Sequence, residues 1–115
     1  MPRHFLHLFD ITPGQANALL VRAQEMKRAV YRGDLLKDKT VALLFEKAST
    51  RTRVSFDVAV SQLGGHSVFM TPAESQLGRD EPLKDTARVL SRYVDCLVVR
   101  TFGQEKLEEI AAHAD

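Results

Sequence analysis

Three hydroxyls and two guanidinium groups occupy five consecutive positions: Ser49, Thr50, Arg51, Thr52 and Arg53. An apolar run, Val41-Ala42-Leu43-Leu44-Phe45, leads into them, and Val54, Val58 and Leu63 follow at helical spacing. The run is short, rich in large aliphatics and preceded by Lys37-Asp38-Lys39, which reads as a buried strand after a turn. The residues between strand and helix therefore fall at a helix N-terminus, where backbone N–H groups lack partners and the dipole is positive. Hydroxyl donors and a forked guanidinium placed there suit a tetrahedral oxyanion such as phosphate. The same residues also suit an ordinary Ser or Thr N-cap followed by two solvated arginines.

The pattern is neither of the common glycine-rich phosphate loops, since G-x-x-x-x-G-K-[ST] and G-x-G-x-x-G do not occur. Hydroxyls and Arg stand where those loops carry glycine, so side chains as well as backbone would grip the anion. Arg100 ends a second apolar run, Cys96-Leu97-Val98-Val99. If the strands are parallel, it stands at the same sheet edge as residues 49–53. That is where open α/β sheets bind ligands, although a solvated strand-end Arg fits equally. His4 and His7 sit three apart, but no Cys or carboxylate pattern supports a metal site. His66 has no evident partner and reads as a turn histidine.

The elements that hold these residues follow from periodicity. Thr12 suits an N-cap, Pro13 the first helical position, and Gln15 completes a capping box. Ala16, Leu19, Leu20, Ala23, Met26 and Val30 recur at helical spacing, with Gly33 as terminator. This apolar stripe is expected to pack against the rest of the fold or against a second domain. The strand through Phe45 comes next, then a helix ending at Gly64-Gly65, then a short strand at residues 66–70. Residues 71–81, with Pro72 and Gly78, read as a long loop, and such loops are often functional. Pro82 opens a helix with Leu83, Ala87, Leu90 and Val94 inward. A strand over residues 95–100 follows, then a helix from Gln104 with Leu107, Ile110 and Ala111 as its inner face. Strand and helix alternate, which predicts an α/β fold: a doubly wound parallel sheet in three layers, helices on both faces.

Composition bounds the function. The 115 residues suit one domain, and 44% apolar with 27% charged residues is the balance of a soluble globular chain. A net charge of +1 argues against a dedicated nucleic-acid surface. Apolar runs fall short of the ~20 residues needed to cross a bilayer, and the first residues lack a signal-peptide core. Cys96 is alone, which fits a reducing compartment and a cytoplasmic location.

Phe45-Glu46-Lys47 before residues 49–53, Ser75-Gln76-Leu77-Gly78, the run from Asp85 to Leu90, and Val99-Arg100-Thr101 carry a further signal. Across nearly the whole chain they resemble the N-terminal part of the ornithine carbamoyltransferase family. The Ser-Thr-Arg-Thr-Arg run is typical of aspartate and ornithine carbamoyltransferases together. Lys47, where the aspartate branch usually carries an acidic residue, favours the ornithine branch, as does the Ser-Gln-Leu-Gly loop. The resemblance implies transfer of a carbamoyl group from carbamoyl phosphate to the δ-amine of L-ornithine, giving L-citrulline and phosphate in arginine biosynthesis. It implies that Ser49, Thr50, Arg51 and Thr52 hold carbamoyl phosphate and that Thr52 and Arg100 reach its carbonyl oxygen. Arg51, Thr52 and Arg100 would then be the catalytic set. Gln76 would bind the donor from a loop that enters the site of an adjacent subunit of a homotrimer, with Arg79 contributing. Arg53 should point elsewhere and serve in a structural ion pair. No metal or cofactor is implied, nor any nucleic-acid or membrane partner.

The chain also departs from that family. The later His-Pro-x-Gln motif does not occur, nor does the ornithine-binding domain with its reactive Cys region. Residues 1–115 thus read as a truncated carbamoyl-phosphate-binding domain, and Cys96 as a small buried strand residue. Asp80 stands where the family loop usually has a small or basic residue. Two alternatives share these residues. One is a carbamoyltransferase for aspartate or acetylornithine; the other is a non-catalytic anion-binding or assembly module. The expectation for the purified 115-residue chain is no measurable transferase activity; a colorimetric citrulline assay with carbamoyl phosphate and ornithine checks it.

Overall fold

The structure is a computed structural model that describes residues 4–29, 33–46, 49–70, 83–101 and 103–114. A short 3-10 turn, Leu8–Asp10, precedes α1 (Pro13–Arg28). Then come β1 (Thr40–Phe45), α2 (Thr50–Gln62), β2 (His66–Met70), α3 (Leu83–Ser91), β3 (Cys96–Arg100) and α4 (Gln104–His113). The three strands form a parallel sheet in the order β2-β1-β3. This is the alternation expected from the sequence.

β1 is the middle strand, and its residues from Val41 to Phe45 are all buried. An unbroken apolar run is what a strand covered on both faces requires. Val41, Leu43 and Phe45 point to one face, where they cluster with Val60 of α2 and with Leu36, Phe69 and Val98. Leu43 is fully enclosed there. Ala42 and Leu44 point to the other face and are also buried. On that side α3 and α4 pack on each other, burying Ala87 and Ile110.

The ends of β1 and β3 are tied by side chains as well as by the ladder. At the start, the Thr40 N–H donates to Asp95 Oδ2 at 2.9 Å, and the Asp95 N–H donates to the Thr40 carbonyl at 2.9 Å. Asp95 therefore clamps the strand from just before its first residue. β2 is tied to α2 by a Ser67 hydroxyl that donates to the Asp57 carboxylate.

Several sequence expectations shift. The capping box forms as read, with the Gln15 N–H on Thr12 Oγ1 at 3.1 Å and the Thr12 N–H on Gln15 Oε1 at 2.9 Å. However, α1 ends at Arg28 with Ala29 as C-cap, short of Gly33. Its apolar stripe is not core: α1 buries no residue, and Leu19 and Leu20 are exposed. The radius of gyration is 14.9 Å, above the roughly 13 Å of a compact domain this long, as expected where a helix stands off the core. α2 faces the sheet through Val60, leaving Val54 and Val58 exposed. In α3 it is Thr86 and Ala87 that are buried. Cys96 is exposed rather than buried, because it opens an edge strand. Loss of part of its solvation, and then the adjacent Asp95 carboxylate, push its thiol pKa up. It therefore stays a neutral thiol, not a ready nucleophile.

A groove of about 540 Å³ runs along β3, lined by Leu6, Leu97, Val99, Leu107, Ala111 and Ala114 among others. Among the described residues, no helix is long and apolar enough to cross a membrane.

The turn after α2 depends on Gly64, whose φ is +87°. A Cβ there would also lie 3.2 Å from the Gly33 carbonyl oxygen and 3.3 Å from Asp34 Cα. Gly64→Ala is expected to cost about 1–2 kcal/mol or more, the left-handed penalty for an L-residue plus the backbone contact. Urea unfolding followed by circular dichroism measures it.

Candidate functional site

Strand order determines where a site can form. From β1 the chain passes through α2 to β2 on one side, whereas β3 lies on the other side of β1. The order reverses at β1, and in folds of this kind the ligand crevice lies outside the C-terminal ends of the strands at that point, here β1 and β3. α2 begins above one lip of this crevice, and Arg100 ends the other.

The helix start is built by Ser49. Its backbone is extended, with φ −162° and ψ 99°, and its side chain caps α2. The Thr52 N–H donates to Ser49 Oγ at 3.3 Å, and the Arg53 N–H donates to the Ser49 carbonyl at 3.0 Å. The N–H groups of Thr50 and Arg51 precede the first intrahelical bond and have no partner among the described residues. The Ser49 hydroxyl donates to Thr52 Oγ1 at 2.8 Å. Its proton is thus committed, and the Thr52 hydroxyl is left to donate outward, polarised by the bond it accepts. Thr50 and Arg51 are exposed, whereas Ser49 and Thr52 are half-buried.

Arg53 diverges from this group, as expected, but among the described residues its partner is an aromatic ring and not a carboxylate. Its guanidinium lies 3.6 Å from the centre of the Phe69 ring. Phe69 in turn stands edge-on to Phe45, with centroids 5.6 Å apart. The contact is a cation–π interaction that fastens the first turn of α2 to β2.

Arg100 is the register partner of Phe45. Partners in a parallel ladder point to the same face, and Phe45 points to the face covered by α2. Arg100 therefore shares the face and the end of the sheet at which α2 begins. Its Nε is buried without a hydrogen-bond partner among the described residues. Such a donor is costly to leave unpaired, and a ligand oxygen would satisfy it.

Glu46, Thr101 and Lys106 form a network that sequence reasoning did not assign. The Glu46 N–H donates to the Arg100 carbonyl at 2.8 Å. Its carboxylate accepts from the Thr101 hydroxyl and from Lys106 Nζ, the latter at 3.2 Å. The only available signal was an acidic residue at the end of an apolar strand.

His7 Nε2 lies 3.8 Å from Asp10 Oδ1, and its ring stands edge-on to Phe9; among the described residues no group of three or more His, Cys, Asp or Glu that could hold a metal ion comes together. His66 opens β2 and is exposed. Gln76, Arg79 and Asp80, with the whole loop at residues 71–81, lie outside the described residues. So does Lys47.

Residues 3–115 match the family model described as aspartate/ornithine carbamoyltransferase, carbamoyl-P binding domain. An ornithine carbamoyltransferase of Nitratidesulfovibrio vulgaris strain DP4 is 61% identical over 112 residues, covering 97% of this chain and 37% of that protein. Among solved structures, the anabolic ornithine carbamoyltransferase of Campylobacter jejuni superposes with a TM-score of 0.90 at 42% identity. That match covers 98% of this chain and 37% of the other. The enzyme from Thermus thermophilus gives 0.89 at 41% identity, covering 99% and 40%. The chain thus spans less than half the length of the relatives it matches.

Removing the cap tests the local architecture. Ser49→Ala should lower stability by about 1 kcal/mol, the usual cost of losing a Ser N-cap. Denaturant midpoints of the two proteins compare it.

Proposed function

This chain belongs to the aspartate/ornithine carbamoyltransferase family, and on that premise we propose that it supplies the donor half of an ornithine carbamoyltransferase. In this reading the crevice between β1 and β3 holds carbamoyl phosphate. The observation that carries it is the convergence of the capped α2 start and the unpartnered Arg100 Nε on one face and one end of the sheet.

The phosphate lies against the N–H groups of Thr50 and Arg51, with the side chains of Ser49, Thr50, Arg51 and Thr52 around it. The two N–H groups, the Thr50 hydroxyl and the Arg51 guanidinium thereby meet an anion rather than water. The carbonyl oxygen faces Arg100 and the Thr52 hydroxyl. When the δ-amine of ornithine attacks the carbonyl carbon, the C=O electron pair moves onto that oxygen. Arg100 and Thr52 are positioned as an oxyanion hole for the charge that develops. The tetrahedral intermediate then reforms the carbonyl, the C–O bond to phosphate breaks, and the amine's proton passes to the departing phosphate. Arg51 and the helix N-terminus stabilise the charge gained by the departing phosphate. Orientation of the two reactants can supply roughly 7–11 kcal/mol of the barrier reduction.

Ornithine as acceptor is supported by the relatives, which are ornithine carbamoyltransferases, and its binding belongs to polypeptide beyond these residues. A homotrimer in which Gln76 and Arg79 reach the neighbouring site, a role in arginine biosynthesis and a cytoplasmic location complete the proposal. The exposed apolar side chains Leu19 and Leu20 on α1, and Val54 and Val58 on α2, support a larger assembly that covers them.

Arg51→Ala should leave the fold intact, because the side chain is exposed. It should weaken binding of phosphonoacetamide, a non-hydrolysable analogue of the donor, by about 1.5–3 kcal/mol, the value of hydrogen bonds to a charged group. Isothermal calorimetry on the two proteins reads this, and equal affinities would remove residues 49–52 as the phosphate site.

A further inference from the structure

We propose that Glu46 is a positioning residue that sets the spacing between the start of α2 and Arg100. The inference rests on the donor-site reading above. It concerns a residue that lies outside the ligand's reach.

Glu46 follows β1 directly and precedes the cap Ser49 by three positions. It bonds to the opposite lip of the crevice at three points. Its N–H holds the Arg100 carbonyl, one carboxylate oxygen holds the Thr101 hydroxyl, and the other holds Lys106 of α4. The side chain is 18% exposed, against 41% for Lys106, so the bonds to it are shielded from full solvent competition.

Side chains alternate along a strand, so Glu46 leaves the sheet on the face opposite Phe45 and Arg100. That is the face of α4, which supplies Lys106. The carboxylate therefore grips the β3 end from behind while Arg100 projects in front, beneath the start of α2. This also resolves an electrostatic problem, because a carboxylate in the crevice would repel a phosphate. Behind the sheet and paired with Lys106, it fixes geometry without opposing the anion. With Asp95 tying the other ends of the same two strands, the β1–β3 pair cannot slide or splay. The gap between the phosphate-holding turn and the carbonyl-holding Arg is thereby set.

Phosphonoacetamide binding to the 115-residue chain, followed by two-dimensional NMR, tests this. In the unaltered chain the ligand should shift the amides of residues 50–52 and the Arg100 Nε–Hε signal together. In Glu46→Ala the affinity should fall about tenfold, the loss of one or more bonds to a charged group. At saturation the amides of residues 50–52 should still respond while the Arg100 signal no longer does. Glu46→Gln keeps an acceptor for Thr101 and should stay within about threefold of the unaltered chain, since only an ion pair is lost. A merely structural role predicts that every signal weakens together and that Gln fails as Ala does.

Should Glu46→Ala not fold, Thr101→Val and Lys106→Met remove the two carboxylate contacts singly. Each should shrink the Arg100 response. The proposal is overturned if Glu46→Ala, or both of these substitutions, titrate as the unaltered chain does at both ends of the ligand. If the amides of residues 50–52 do not respond even in the unaltered chain, the donor-site reading itself fails, a result distinct from loss of the Arg100 response alone.

Discussion

The pairing of β1 with β3 is the interaction on which the rest of this structure depends. β1 is the strand buried on both faces, and β3 is the neighbour at which the winding changes direction. Hydrogen bonds along the ladder join Val41 through Phe45 to Cys96 through Arg100. Acidic residues at either end, Asp95 and Glu46, bind the partner strand through backbone and carboxylate together. An edge strand held only by its ladder would fray at its last residues. Here the last residue is Arg100, and it is held.

On the proposed reading, the anion is held by a route different from a glycine-rich loop. Such a loop folds its backbone around the phosphate and needs residues without a Cβ. In this chain the backbone contributes only the first N–H groups of α2, and side chains supply the remainder. Ser49 caps the helix and is joined to Thr52 by two hydrogen bonds, one to its N–H and one to its hydroxyl oxygen, which leaves the Thr52 hydroxyl proton free to point outward. Arg53 is turned away onto Phe69, which leaves Arg51 as the guanidinium of this turn exposed beside the cap. One arginine thus holds the helix start in place, while its neighbour two residues earlier stays exposed.

Stability and function draw on different faces of the same elements. α2 buries Val60 against the sheet, and its first turn offers donors at the opposite end of the crevice wall. Leu19 and Leu20 on α1, and Val54 and Val58 on α2, remain uncovered.

Much of the fold could be read from residue patterns. The unbroken run from Val41 to Phe45 identified the central strand, because only a doubly covered strand tolerates so little polarity. Thr12, Pro13 and Gln15 located the start of α1, since capping is local chemistry. The run at residues 49–53 marked a helix start for the same reason. The packing expected for the apolar stripe of α1 does not occur within the described residues, because periodicity describes one face of a helix and not what meets it. Its Leu stripe proved exposed, as did Cys96, whose burial depends on which strand lies at the sheet edge. The fate of Arg53 and the role of Glu46 also belonged to tertiary structure. Their partners, Phe69, Thr101 and Lys106, are distant in sequence and become neighbours only when the parallel register brings three strand ends together.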